Sequence, residues 1–112
     1  MSDCLFCKIA AGEIPSTCLY EDDLVFAFKD IDPQAPVHFL VIPKAHITSA
    51  ACIDGSNSSV IARAFEVIAK LAKELELDGF RVVSNVGASA GQSVFHLHFH
   101  VLSGRDMTWP PG

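Results

Sequence analysis

The chain has 112 residues, half of them apolar, with a formal net charge of -5. That composition supports a single domain over 1–112 with a real core and excludes a disordered chain. Its few Lys and Arg are scattered rather than clustered, which argues against a nucleic-acid surface, and no run approaches the roughly 18 apolar residues of a membrane span.

The opening Met1-Ser2-Asp3-Cys4 lacks the basic start and apolar core of a secretion signal, so a soluble, cytoplasmic protein is expected. Cys4, Cys7, Cys18 and Cys52 are then expected as reduced thiols. Residues 4–11 predict a short helix ended by Gly12, and Cys4-Leu5-Phe6-Cys7 sets two thiols on one side of its first turn. Such a pair is half of a zinc site or simply two half-buried thiols; His46 and an outer histidine of the C-terminal row are candidates to complete a Cys2His2 tetrahedron. Strands are expected next at 18–20 and 24–29 across Glu21-Asp22-Asp23, whose residue types predict a hairpin. After the proline-punctuated loop 30–36, a third strand at 37–42 is stopped by Pro43.

One long helix is expected at 58–77, with Ile61, Ala64, Phe65, Ile68, Leu71, Ala72 and Leu75 as its apolar stripe. Val60 and Val67 widen that stripe, either to meet a second subunit or as ordinary core. A fourth strand at 79–84 leads into Asn85-Val86-Gly87-Ala88-Ser89-Ala90-Gly91-Gln92-Ser93, which is a plain turn or a cradle whose amides meet phosphate. Gln92 and Ser93 are close enough in sequence for this loop to fold back over the histidine row beyond it. The sum is an α+β domain, an antiparallel sheet of about five strands with one long helix and a short N-terminal one.

The row itself is His96-Leu97-His98-Phe99-His100-Val101-Leu102. In an extended strand successive side chains point to opposite faces, so the three imidazoles share one side and Leu97, Phe99 and Val101 the other. Neighbouring histidine Cα atoms would lie roughly 6.6 Å apart and the outer two roughly 13 Å apart, too far for one small ion to gather all three. The row suits an extended anionic group, with a central nucleophile or base between flanking rings. Alternatives are a buried core strand, or an ion held by His96 and His98. The tail Trp109-Pro110-Pro111-Gly112 is stiff and aromatic, and serves either packing or contact with a neighbouring chain.

Four segments together resemble the histidine triad superfamily, in its Hint branch of nucleoside phosphoramidate hydrolases. They are Cys4-Leu5-Phe6-Cys7-Lys8-Ile9, Asp30 to Lys44, Gly91 to Leu102, and Trp109-Pro110-Pro111-Gly112. The resemblance implies a homodimer with one continuous sheet and long helices packed at the interface, and a purine mononucleotide pocket. It implies His98 as nucleophile, with His100, His38 and His96 around it, Ser93 as a hydroxyl donor and Asn85 near the phosphate. Asp30 would grip the ribose; Phe6, Ile9, Ile14, Phe28 and Ile31 would receive the base. Gln92 and Trp109 complete the expected nucleotide contacts, Trp109 through the tail, which in these relatives lies near the partner's site. Catalysis would need no cofactor, while Cys4, Cys7, His46 and His96 would hold a structural zinc. Val86 departs from relatives that often carry an acidic residue there. A nucleotide-binding or interaction module of the same fold with little turnover is the alternative reading.

Overall fold

The computed structural model describes residues 3–112; Met1 and Ser2, on which the reading of the N-terminus partly rests, lie outside them. Helix α1 (Leu5–Ala10) starts where the Cys4 thiol accepts the Cys7 N–H at 3.3 Å, a sulfur doing the work of a hydroxyl cap. Strands β1 (Cys18–Glu21) and β2 (Val25–Lys29) form the expected hairpin. Asp22 closes it by accepting the N–H groups of Leu24 and Val25 at 2.8 and 2.9 Å, the local bonding that makes Asp a turn residue. Strand β3 (Val37–Pro43) runs back along β2.

Helix α2 (Ser58–Glu74), β4 (Phe80–Val83) and β5 (Phe99–Ser103) complete an antiparallel five-stranded sheet in the order β1-β2-β3-β5-β4. Alternation along the strands gives the sheet two different faces. Val25, Ala27, Phe39, Val41, Leu97, Phe99 and Val101 pack on α2, and Phe26, Phe28, Leu40 and Ile42 pack on Phe6 and Ile9 of α1. This division places the chemistry: α2 seals one face, whereas the short α1 covers only part of the other. No helix among the described residues is long and apolar enough to cross a membrane.

Three expectations need correction. The last strand begins at Phe99, not His96. Before it the Leu97 N–H goes to Ile47 O at 2.6 Å, which draws residues 96–98 out of the β3 ladder. The faces survive this, because Leu97 is still in the α2 core and His98 and His100 are on the other side. The buried stripe of α2 is Val60, Ala64, Val67, Ile68, Leu71 and Ala72, while Phe65 and Leu75 remain 46% and 44% exposed. The helical period holds, but the buried face is turned by about one position. Finally, α2 stops at Glu74 rather than Leu77. Glu76 takes a left-handed φ of 55°, its N–H bonding Lys73 O and the Leu77 N–H bonding Ala72 O, the paired closure that usually recruits glycine.

Candidate functional site

On the α1 face a cleft of about 370 Å³ opens over the ends of the central strands. Phe6 and Ile9 from α1, Phe28 from β2 and Leu40 from β3 form its apolar wall; Asp30, Asn85, Ser93, His98 and His100 supply the polar one, with Ile31 at the lip. A groove of about 720 Å³ at the far end of the sheet is larger but wide open, and no histidine lines it. Volume is the poorer guide here, since perturbed ionisable groups converge only in the smaller cleft.

The protonation of each ring is set by its neighbours. The Gln34 N–H points at His38 Nδ1 at 3.0 Å, so that nitrogen carries a lone pair and Nε2 the proton. His38 Nε2 faces His100 Nδ1 at 2.9 Å, with Asp30 Oδ2 at 3.4 Å. Nδ1 of His100 must therefore accept, which leaves its Nε2 as a donor in the cleft. His98 Nδ1 lies 2.7 Å from the carbonyl of His96, which can only accept; His98 Nδ1 is protonated, and Nε2 keeps a lone pair with no hydrogen-bond partner among the described residues. The cleft thus presents one nucleophilic nitrogen beside one N–H donor, the two rings 4.9 Å apart edge to face.

Electrostatics keep both rings in these neutral forms. Burial pushes His98 below the ordinary histidine range. Burial, and then the neighbouring His98 and His38 rings, takes His100 down to about 4. Neither has to shed a proton at neutral pH before acting.

His96 belongs elsewhere. It is fully buried outside the cleft, its Nε2–H donating to Pro43 O at 2.8 Å and its Nδ1 lying 3.3 Å from Cys4 Sγ and 3.5 Å from Cys7 Sγ. His46 Nδ1 is 3.4 Å from Cys7 Sγ, and all four donor atoms fall within 4.8 Å of one another. A tetrahedral zinc with bonds of about 2.0–2.3 Å would space its ligands about 3.4–3.8 Å apart, so this donor set fits that ion. The carbonyl hydrogen bond at Nε2 is also the partner that commonly turns the other nitrogen of a ligating histidine toward a metal.

Of the remaining predicted residues, Phe6, Ile9, Phe28, Asp30, Ile31, Asn85 and Ser93 meet at the cleft, and His38 stands behind it. Gln92 is a correction: 3% exposed, it donates to Thr48 O and Val94 O and accepts the Gly87 N–H, so its amide braces the loop instead of meeting a ligand. Ile14 packs behind the phenylalanines without lining the cleft, and Trp109 is 82% exposed and away from it. Leu5, Leu40, Gly91 and Val94 line the cleft although sequence reasoning did not single them out as contacts. Leu40 at least carried a signal, since alternation along β3 puts it on the same face as His38.

A family model described as HIT domain matches residues 11–107. A HIT family hydrolase from Legionella pneumophila Philadelphia 1 superposes with a TM-score of 0.95 at 49% identity, over 98% of this chain and 100% of that one. A histidine triad nucleotide-binding protein from Candida albicans superposes with a TM-score of 0.84 at 36% identity, over 98% and 85%. The 14 kDa zinc-binding protein of Zea mays is 47% identical over 114 residues, covering 99% of this chain and 89% of that protein.

Proposed function

The chain belongs to the HIT family, and from that premise we propose that it is a purine nucleoside phosphoramidase, hydrolysing the P–N bond of nucleoside 5′-phosphoramidates. The observation that carries this reading is the tautomer of His98: with its Nδ1–H tied to the His96 carbonyl, the nitrogen left over is a lone pair. It shares the cleft with a hydroxyl, an amide and the His100 donor. His98 Nε2 attacks the α-phosphorus, forming an N–P bond as the bond to the amine breaks, and the departing amine takes its proton from solvent. Water then attacks the nucleotidyl-histidine, returning the imidazole and releasing the nucleoside monophosphate.

Charge grows on the phosphoryl oxygens in both steps, and His100 Nε2–H, Ser93 and Asn85 are the donors that offset it. Ser93 serves either such an oxygen or the departing nitrogen. Asp30 takes the ribose hydroxyls, and Phe6, Ile9, Phe28 and Ile31 take the base. Cys4, Cys7, His46 and His96 hold a structural zinc, which would pin the start of α1 to the segment before β5. Two chains pair through β4, an edge strand whose first residue, Phe80, is exposed, and the homodimer works in the cytoplasm.

Phosphorus NMR of adenosine 5′-phosphoramidate with the protein tests the reaction. Conversion to AMP, with an acid-labile nucleotidyl-protein trapped in the wild type and absent from His98→Ala, supports it. Tight AMP binding without conversion would replace it by a nucleotide-binding module, the role that the Candida albicans protein is named for.

A further inference from the structure

The His38–His100 pair delivers a donor to the cleft only in one of its two tautomeric arrangements. If the proton on His38 moved to Nδ1, its Nε2 would accept, His100 Nδ1 would have to donate to it, and His100 Nε2 would offer a lone pair. A phosphoryl oxygen would then meet repulsion where it needs an N–H. The backbone N–H of Gln34, 3.0 Å from His38 Nδ1, selects the first arrangement at that nitrogen, and the Asp30 carboxylate, 3.4 Å from His38 Nε2, favours the same one from the other side of the ring.

Gln34 lies in the loop between Asp30 and Val37, and what fixes that loop comes from the other end of the chain. Gly104, immediately after β5, has a φ of +95°, and a Cβ there would lie 2.9 Å from Pro36 Cβ and 3.2 Å from its Cγ. Only glycine allows the two turns to come so close. The next residue, Arg105, donates from Nε to the Gln34 carbonyl at 3.0 Å and from Nη1 to its neighbour's carbonyl, Asp106 O, at 3.2 Å. Inside the loop the Gln34 side chain donates to Asp32 O at 3.0 Å, and prolines at 33 and 36 stiffen both sides. Neither Gly104, Arg105, Pro36 nor Gln34 lines the cleft.

We infer that the Gly104–Arg105 turn is a positioning device for the reaction, holding the Gln34 amide against His38 so that His100 presents N–H, not a lone pair, to the phosphoryl group. The inference rests on the proposed hydrolysis for the use made of His100, but not for the tautomers themselves. Those can be read by nitrogen-15 NMR of the histidine rings in the free protein. Expected are Nε2–H on both His38 and His100 in the wild type. In Arg105→Ala and Gly104→Ala a second population with His38 Nδ1–H is expected. Turnover should show a fall in kcat of about 3–10-fold for Arg105→Ala and more for Gly104→Ala, with KM nearly unchanged, because the base and ribose contacts are intact. Arg105→Lys, which keeps a donor near the Gln34 carbonyl, should restore both tautomer and kcat.

A wild type with His38 protonated at Nδ1 overturns the inference even if hydrolysis proceeds. So do folded variants with wild-type tautomers and wild-type kcat. Should the wild type hydrolyse nothing, the tautomer shift in Arg105→Ala still decides the positioning claim separately. If Gly104→Ala does not fold, Arg105→Ala and its lysine counterpart carry the test.

Discussion

Two clusters of histidine share one face of the sheet, a few residues apart in sequence, and do opposite things. In the first, His96 gives its Nε2–H to Pro43 O and turns a bare Nδ1 toward two thiols and His46. In the second, His98 gives its Nδ1–H to a carbonyl and turns a bare Nε2 into an open cleft, while His100 accepts at Nδ1 and keeps Nε2–H. The rings are chemically identical, and burial lowers the basicity of all three. What would fit one ring to ligate, one to attack and one to donate is which nitrogen a backbone group or neighbouring ring has claimed. The clusters also touch: the carbonyl that sets the His98 tautomer belongs to His96, and the Phe6 ring packs edge to face on both, at 6.0 Å from His96 and 5.0 Å from His98.

The sharpest way to break this division is to remove the bare Nε2 of the second cluster. His98→Ala should lower turnover of adenosine phosphoramidate by at least about 10³-fold, since no other imidazole lone pair faces the cleft to take over the attack. AMP affinity by calorimetry should change only a few-fold, because base and ribose contacts persist. A wild-type rate in His98→Ala would sink the assignment. Next in size, His100→Gln should cost about 10²-fold in kcat, the usual effect of deleting one donor to a developing oxyanion, with KM far less affected.

In the first cluster the expected effect moves from rate to stability. Cys4→Ala removes a thiol ligand and the cap of α1 together, so zinc content by atomic absorption should fall from one per chain toward zero. The melting temperature should drop by about 5–10 °C, consistent with a loss of one to two kcal/mol in a domain of this size. Turnover should fall less than in His98→Ala. An unchanged melting temperature, with or without a chelator, would show that the four donors hold nothing that matters to folding.

Much of this division is legible in the sequence. Strict two-residue spacing is enough to put Leu97, Phe99 and Val101 in the core and the imidazoles opposite them, and a C-x-x-C with a spare histidine is enough to suggest a second destination. Spacing carries no information about a carbonyl on another strand, so it cannot say that His96 leaves the row or which nitrogen each ring offers. Gln92 shows the same limit: a polar side chain beside a glycine-rich loop satisfies a ligand or the loop itself, and Thr48, distant in sequence, decides it. The end of α2 escapes the pattern because Glu76 occupies a position where glycine is the usual marker. Gly104 and Arg105 leave no trace at all, since a glycine after a strand is what any turn would have.

The smallest predicted effect concerns acid, and it tests whether His100 is neutral because of its surroundings. Its folded-state value of about 4 lies below the ordinary 6.5, so as pH falls between those values the unfolded chain takes up a proton that the folded site refuses. Stability contributed by the neutral ring is thus fully present above about pH 6.5 and is lost as pH drops toward 4. Zinc release in the other cluster would bend the curve the same way, because protons compete with the ion for thiolate and imidazole. The two are separated by comparing denaturant midpoints of the wild type and His100→Gln at matched zinc content. The variant should lose less stability between pH 6.5 and 4.5, by about 1 kcal/mol once solvent screening is allowed for, while the zinc-dependent part of the slope stays in both. Parallel curves would mean that His100 titrates as an ordinary exposed histidine, and its part as a fixed neutral donor would have to be given up.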